Sequence, residues 1–397
     1  MRAFHLSRQW LVLLGLALSV AISNGFGRFS YGLILPAMRE SLHWSYTQAG
    51  WLNTANAIGY VAGAVATMAL IRRVTPERLF VIGTLGTAVS LALTGVDESL
   101  TAQSLCRMGA GVFGALSFIC GGTLAASMFT DSPRRNALAI ALYFGGGGGL
   151  GLALCGAVLP PMLGVMGPQS WDTAWYLVGF AALAFVPVTI WAARNVAAPV
   201  SDGFPGSKPP FKRMLGQMIS YGFFGLGYIV YPTFLSAWMV SHHISTALIA
   251  ATWVALGVSV MASPFLWRGL LARYDSGLPM AVILVAVAVG SALPVLMPNT
   301  VGLLLSALVF GLSFFMPPSA ITSFVRRNLP QPDWGAAISA CTVVFAVSQI
   351  LGPIGAGWIG DHTGQIGDGL LVASVMLLAG AASAALQRPL RPEESDR

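Results

Sequence analysis

Long apolar runs alternate with short breaks that are charged or rich in Gly and Pro, and this alternation predicts twelve membrane-spanning helices. The first six runs cover residues 11–38, 47–71, 79–93, 101–129, 136–162 and 171–193, and the second six cover 214–240, 245–271, 279–296, 300–324, 334–359 and 367–386. Most approach or exceed the roughly 20 helical residues that cross a hydrocarbon core about 30 Å thick. Between the two sets, 195–213 is rich in Pro, Gly and Ser and holds both lysines, Lys208 and Lys212. The expected organisation is an N-terminal six-helix bundle (1–194), a flexible cytoplasmic linker (195–213) and a C-terminal six-helix bundle with a short cytoplasmic tail (214–397).

Composition excludes the alternative of a water-soluble fold. Only 9% of the 397 residues are charged, against about 25% in a globular protein. With 56% apolar residues and a mean hydropathy of +0.75, too little polar surface exists to cover a globule of this size. Twelve spans use about 240 to 300 residues and leave about 100 for loops and tails, too few for a sizeable extramembrane domain. The first apolar run is far longer than the short core of a secretory signal, so it is expected to stay as an uncleaved first span. Cys106, Cys120, Cys155 and Cys341 all fall in apolar runs and are expected to be buried small hydrophobes, not a disulfide framework.

Charge tests the map independently, because Lys and Arg accumulate in cytoplasmic loops. With the N-terminus inside, every one of the 21 Lys and Arg residues except Arg28, Arg39 and Arg107 falls on the cytoplasmic side. One missed or extra helix would scramble this asymmetry, so an even number of spans with both termini cytoplasmic is expected. The net charge of +7 is then a topology signal and gives no case for nucleic-acid binding.

The chain repeats itself. Residues 24–38 read NGFGRFSYGLILPAM and 224–238 read FGLGYIVYPTFLSAW, matching at Gly25/Gly225, Gly27/Gly227, Tyr31/Tyr231, Leu35/Leu235 and Ala37/Ala237. The fifth and eleventh spans echo each other at nearly the same offset through Phe144/Phe345, Leu150/Leu351, Gly151/Gly352 and Gly156/Gly357. Two six-helix halves related as parallel repeats are the arrangement of major facilitator carriers, which bind substrate between the halves near the midplane. The stretches GFGRFSYGLILP, WLNTANAIGYVAGA, YFGGGGGLGLALCG and GYIVYPTF resemble the YbfB/YjiJ-type branch of that superfamily. That resemblance implies an all-α integral membrane protein of twelve transmembrane helices in two six-helix parallel-repeat bundles. It also implies a secondary carrier of the bacterial inner membrane.

One departure stands out. The superfamily's loop between the second and third helices carries an acidic residue followed by Arg and Gly, whereas IRRVTPER has Arg72 near the acidic position and Thr75 near the Gly. In the second half GLLARYDSG has Arg273 at the acidic position, with Asp275 two residues on. The family's cytoplasmic charge clasp therefore does not carry over directly.

Candidate chemistry lies where charge enters a span. A central Arg costs roughly 2.5–3.5 kcal/mol to insert, so it is retained for a reason. Arg28 sits about 6 Å past the middle of the first span, preceded by Gly25 and Gly27, and suits a guanidinium gripping an anion. Bonding to helix-end carbonyls and outward snorkelling are its bland alternatives. Arg107, in CRMGAGVFG, resembles the superfamily's fourth-helix Arg near the cavity; being closer to the interface, it fits a snorkelling or structural role equally well. The fourteen acids fall in loops and tails or, for Asp172 and Asp368, at the second residue of a run, so an intramembrane carboxylate relay is not expected and an anionic substrate fits best. Any coupled protons would travel on the substrate itself. Tyr228 occupies the repeat position of Arg28 and Tyr231 that of Tyr31. These tyrosines, with Asn24, Asn53, Asn56 and Gln349, either line the cavity or serve interhelical packing.

The glycines of 145–151 and 352–357 are read as close-packing surfaces on which the halves rock, not as phosphate loops. His242 and His243 are read as an exposed pair, and Arg39, Glu40 and Asp361 as candidates for an outer gate. No HExxH motif, in-span His or catalytic carboxylate pair argues for an enzyme, and no metal or cofactor site is expected. The expected function is secondary active transport of a small organic anion of carboxylate type across the inner membrane by alternating access, by a monomer. Proton-coupled efflux of amphiphilic compounds or drugs is the alternative.

Overall fold

The computed structural model describes residues 2–71, 73–196 and 210–390. Arg72, most of the expected linker including Lys208, and the acids Asp202, Glu393, Glu394 and Asp396 lie outside the described residues. Twelve helical rods are present among the described residues, and all but the first, which begins early at Arg2, lie within a few residues of their expected apolar runs. Ten are long and apolar enough to cross a membrane. The second span, Tyr46–Leu70, is the right length but is diluted by Gln48, Asn53 and Asn56. The tenth is broken into Thr300–Gly311 and Pro317–Asn328, because Pro317 and Pro318 restart the helix after an irregular turn.

Local sequence starts the helices. Ser45, Thr75, Ser99, Ser132, Ser245 and Asn299 each cap the N-terminus of the helix that follows, and Ser45 forms a reciprocal capping box with Gln48. The 200-residue repeat is visible in this geometry. Ser30–Ser41 and Val230–Ser241 end alike, His43 and His243 turn the chain with φ of 54° and 55°, and Ser45 and Ser245 cap the next helix.

Small residues set how closely the rods approach. Within the first six spans, Gly25 backs onto Gly151 of the fifth. Between the two sets of six, a Cβ on Gly149 would fall 2.3 Å from the Gly257 carbonyl oxygen, and one on Gly50 would fall 2.3 Å from that of Pro353. The fifth span thus abuts the eighth, and the second abuts the eleventh. The two glycine-rich spans do lie at the seams, each against a helix of the other set. All four cysteines are free; Cys106 is half-buried and the others are buried.

Contacts between the sets are dense from mid-depth to the end of the rods remote from the chain termini. There Gly32 meets Pro232, Tyr46 stacks edge-on to Phe234, and Thr54 donates to the Ile350 carbonyl at 2.7 Å. Near the termini, the loop after the eighth span is tied down without an acid–Arg clasp. Arg327 donates to the Ala272 carbonyl, Asn328 donates to the Asp275 carbonyl, and Arg273 lies over Tyr274.

Candidate functional site

The first span changes helix type where its arginine sits. Ala21–Phe29 is π-helical, with a wider turn that re-aims the side chains it carries. The local sequence AISNGFGRF permits this, since a Cβ on Gly25 would lie only 2.4 Å from the Gly151 Cα. From this segment Arg28, 6% exposed, donates through Nη2 to Oε1 of Gln349 in the eleventh span. The Tyr228 hydroxyl donates to the same oxygen at 3.2 Å. A guanidinium has only donors, so Gln349 must present its carbonyl to it. The rings of Tyr60 and Tyr228 lie 5.5 and 5.8 Å from the guanidinium carbon, within cation–π reach. Two buried nitrogens in this cluster, Arg28 Nε and Gln349 Nε2, have no hydrogen-bond partner among the described residues.

Arg107 does not snorkel. It is fully buried, with Nη1 on the Gly27 carbonyl at 2.6 Å, Nη2 on Asn53 Oδ1 at 3.4 Å, and the rings of Tyr31 and Trp175 at 5.0 and 5.4 Å. Asn53 in turn donates to Thr233, so this layer couples the second, fourth and seventh spans. Asn56 donates to the Arg107 carbonyl at 3.1 Å, and Asn24 to Ser23 at 3.3 Å. The Tyr31 hydroxyl donates to the Ala49 carbonyl at 2.7 Å, and that of Tyr231 pairs with Ser306 at 2.7 Å. Of the expected site residues, the fold brings Arg28, Tyr228 and Gln349 into one cluster. Arg107, Tyr31, Asn56 and Tyr231 each make interhelical bonds, although Arg107 Nε, like Arg28 Nε, has no partner among the described residues.

Three aromatic side chains joined to this cluster by ring contacts, Tyr60, Phe118 and Phe345, are not among the site candidates the sequence offers. Tyr60 meets Phe118 at 6.4 Å, while Phe345 stacks on Tyr221, Phe224 and Tyr228 at 4.8, 5.5 and 5.6 Å. All three remain half-buried. A signal for Tyr60 was present, since Asn53, Asn56 and Tyr60 recur with the helical period and mark one face.

The outer-gate trio rearranges. Asp361 accepts from the Tyr46 and Thr47 amides at 2.7 and 2.8 Å and from the Thr47 hydroxyl at 2.5 Å. Arg39 instead lies over the Tyr46 ring at 3.7 Å. The orphan amides at the start of the second span attract the carboxylate directly. His242 stacks on Trp238 at 4.1 Å and bonds its carbonyl.

Residues 20–385, nearly the whole chain, match the family described as "Uncharacterised MFS-type transporter YbfB". The chain belongs to this family. The family is one of MFS-type transporters, and the chain has the multi-pass helical architecture expected of it. Among relatives of the YbfB-type carrier, the uncharacterized MFS-type transporter YceJ of Bacillus subtilis is 23% identical over 268 residues, 64% of each chain. The multidrug efflux pump LfrA of Mycolicibacterium smegmatis is 35% identical over 158 residues, covering 38% of this chain and 31% of LfrA. The tetracenomycin C resistance and export protein of Streptomyces glaucescens is 26% identical over 204 residues, 50% of this chain and 36% of the relative. The chain thus spans less than two thirds of the length of each of these relatives. Among solved structures, a bacterial homolog of the human lysosomal transporter Spinster superposes with a TM-score of 0.72 at 14% identity, covering 96% of both chains. A point mutant of the nucleoside transporter NupG superposes with a TM-score of 0.69 at 14% identity, covering 95% of this chain and 98% of NupG.

Proposed function

We propose that this YbfB-type carrier moves a small organic anion across the inner membrane by alternating access, with Arg28 as its principal ligand. The observation that carries this proposal is the bond from Arg28 to Gln349, which joins the two sets of six helices at mid-depth while Arg28 Nε stays unpartnered. A substrate held there touches both bundles, so its binding and release couple to their rocking. The described acids fall in loops or in the end turns of helices, leaving the substrate to supply the counter-charge. Tyr228 and Gln349 are the supporting ligands, while Arg107 and Tyr31 hold the first span in shape.

In this account residues 1–194 and 214–397 are the rocking bundles, joined by 195–213, both termini are cytoplasmic, and the carrier works as a monomer. The packed end of the rods is then the outer gate, and the conformation is open toward the cytoplasm. Thermal-shift screening of the purified chain against small carboxylates, phosphorylated metabolites and neutral amphiphiles tests the substrate class. Stabilisation by carboxylates that disappears in Arg28→Gln supports it; stabilisation by anions that Arg28→Gln leaves intact contradicts it.

Efflux of amphiphilic compounds is the second reading. It is favoured by the half-buried rings of Tyr60, Phe118 and Phe345 and by the functions that LfrA and the tetracenomycin C exporter are named for. Counterflow of an uncharged amphiphile that survives Arg28→Gln would decide for it.

A further inference from the structure

We infer that the anion is an aromatic monocarboxylate, and that the Gln349 carboxamide occupies the place of its carboxylate when the site is empty; the inference rests on the proposed role of Arg28. Gln349 Oε1 already accepts the pair of donors a carboxylate oxygen would take, Arg28 Nη2 and the Tyr228 hydroxyl. A carboxamide offers only that one oxygen, and a buried donor beside Nη2, Arg28 Nε, is left without a partner among the described residues. A carboxylate has a second oxygen and can span Nε and Nη2 side by side, the paired arrangement that guanidinium groups favour. Displaced from Arg28, Gln349 still has its own unpartnered Nε2 to donate to the incoming anion.

The charge available limits the ligand to one carboxylate. Arg107, the other arginine deep within a span, is sealed at 0% exposure, with Nη1 and Nη2 bonded to Gly27 and Asn53 and only Nε unpartnered among the described residues. A second carboxylate would therefore be desolvated without a counter-charge. The body of the ligand follows from the walls. Tyr60 and Phe118 approach from the first set of helices, and Tyr228 and Phe345 from the second. Phe118 already packs on Phe144 at 4.7 Å and Phe345 on three rings, so the wall is a continuous aromatic surface of the kind that accepts a flat apolar group by stacking.

Binding to the full-length purified protein, followed by tryptophan fluorescence and thermal shift, tests this with benzoate, benzamide, cyclohexanecarboxylate and terephthalate. Benzoate should bind, cyclohexanecarboxylate and terephthalate should bind at least about tenfold more weakly, and benzamide should not register. Gln349→Glu installs a carboxylate permanently beside Arg28. This variant should melt higher than wild type when unliganded and lose its response to benzoate. Equal affinity for terephthalate and benzoate, or for cyclohexanecarboxylate and benzoate, overturns this inference while leaving an anion carrier standing. An undiminished benzoate response in Gln349→Glu overturns the stand-in role. Benzoate binding unchanged by Arg28→Gln would remove the underlying assignment of Arg28 as well.

Discussion

Removing the Asp361 carboxylate should loosen the packed end of the carrier. Asp361 lies in the last turn of the eleventh span and takes three hydrogen bonds from the start of the second, at 2.7, 2.8 and 2.5 Å. Shielded hydrogen bonds to a charged group are worth about 1.5–3 kcal/mol each. Asp361 is solvent-exposed, and water reduces the three together to about 1–2 kcal/mol. These bonds exist only while the ends of the second and eleventh spans are together, so their whole loss falls on the gating equilibrium. At 1.4 kcal/mol per decade, Asp361→Ala should raise the population open at this end by roughly five- to thirtyfold. Asp361→Asn, which keeps one acceptor oxygen, should fall between Ala and wild type. Pulsed electron paramagnetic resonance between nitroxides at Glu40→Cys and Ser241→Cys, both exposed at this end, reads the change in a background with Cys106, Cys120, Cys155 and Cys341 replaced by Ala. A longer-distance component should grow in Asp361→Ala. The same distance distribution in Asp361→Ala and wild type, with both folded, would refute a gating role for this contact.

Arg107→Lys should lower unfolding stability by about 2–4 kcal/mol, because one ammonium cannot replace bonds to both Gly27 and Asn53 in a sealed site; the melting temperature reads this, and ligand should not restore it. Tyr31→Phe and Tyr231→Phe each remove one buried hydrogen bond, costing about 1 kcal/mol in melting experiments while flux continues. Gly149→Ala should cut proteoliposome flux at least about tenfold, since its Cβ would meet the Gly257 carbonyl oxygen at 2.3 Å and hold the fifth and eighth spans apart. Gly146→Ala, whose Cβ would touch only the Leu142 side chain at 3.8 Å, is the matched control and should transport normally.

The membrane architecture was legible because it is written in run lengths and in the placement of charge. Each apolar run became a rod, and the offset of 200 residues reappeared as matching turns at His43 and His243. Arg28 and Gln349 were legible as polar residues that a bilayer tolerates only for a reason. Their mutual bond was not, since it joins residues 321 positions apart and depends on how two bundles meet. The π-helical stretch at Ala21–Phe29 was hidden as well: Gly25 and Gly27 permit it, but the close approach of Gly151 selects it. Arg39, Glu40 and Asp361 are outer-gate candidates in sequence, yet helix-start amides hold Asp361 while Arg39 settles on Tyr46. Tyr60 carries no signal as a single residue; only the helical recurrence of Asn53, Asn56 and Tyr60 on one face marks it.

Flux of benzoate into proteoliposomes containing wild type, Arg28→Lys or Arg28→Gln bears most directly on the central role of Arg28. Wild type should accumulate label under counterflow. Arg28→Lys, which keeps the charge but loses the paired donors, should retain roughly a tenth or less of the rate. Arg28→Gln should fall to the level of empty vesicles while remaining folded. Wild-type flux in Arg28→Gln would contradict the account.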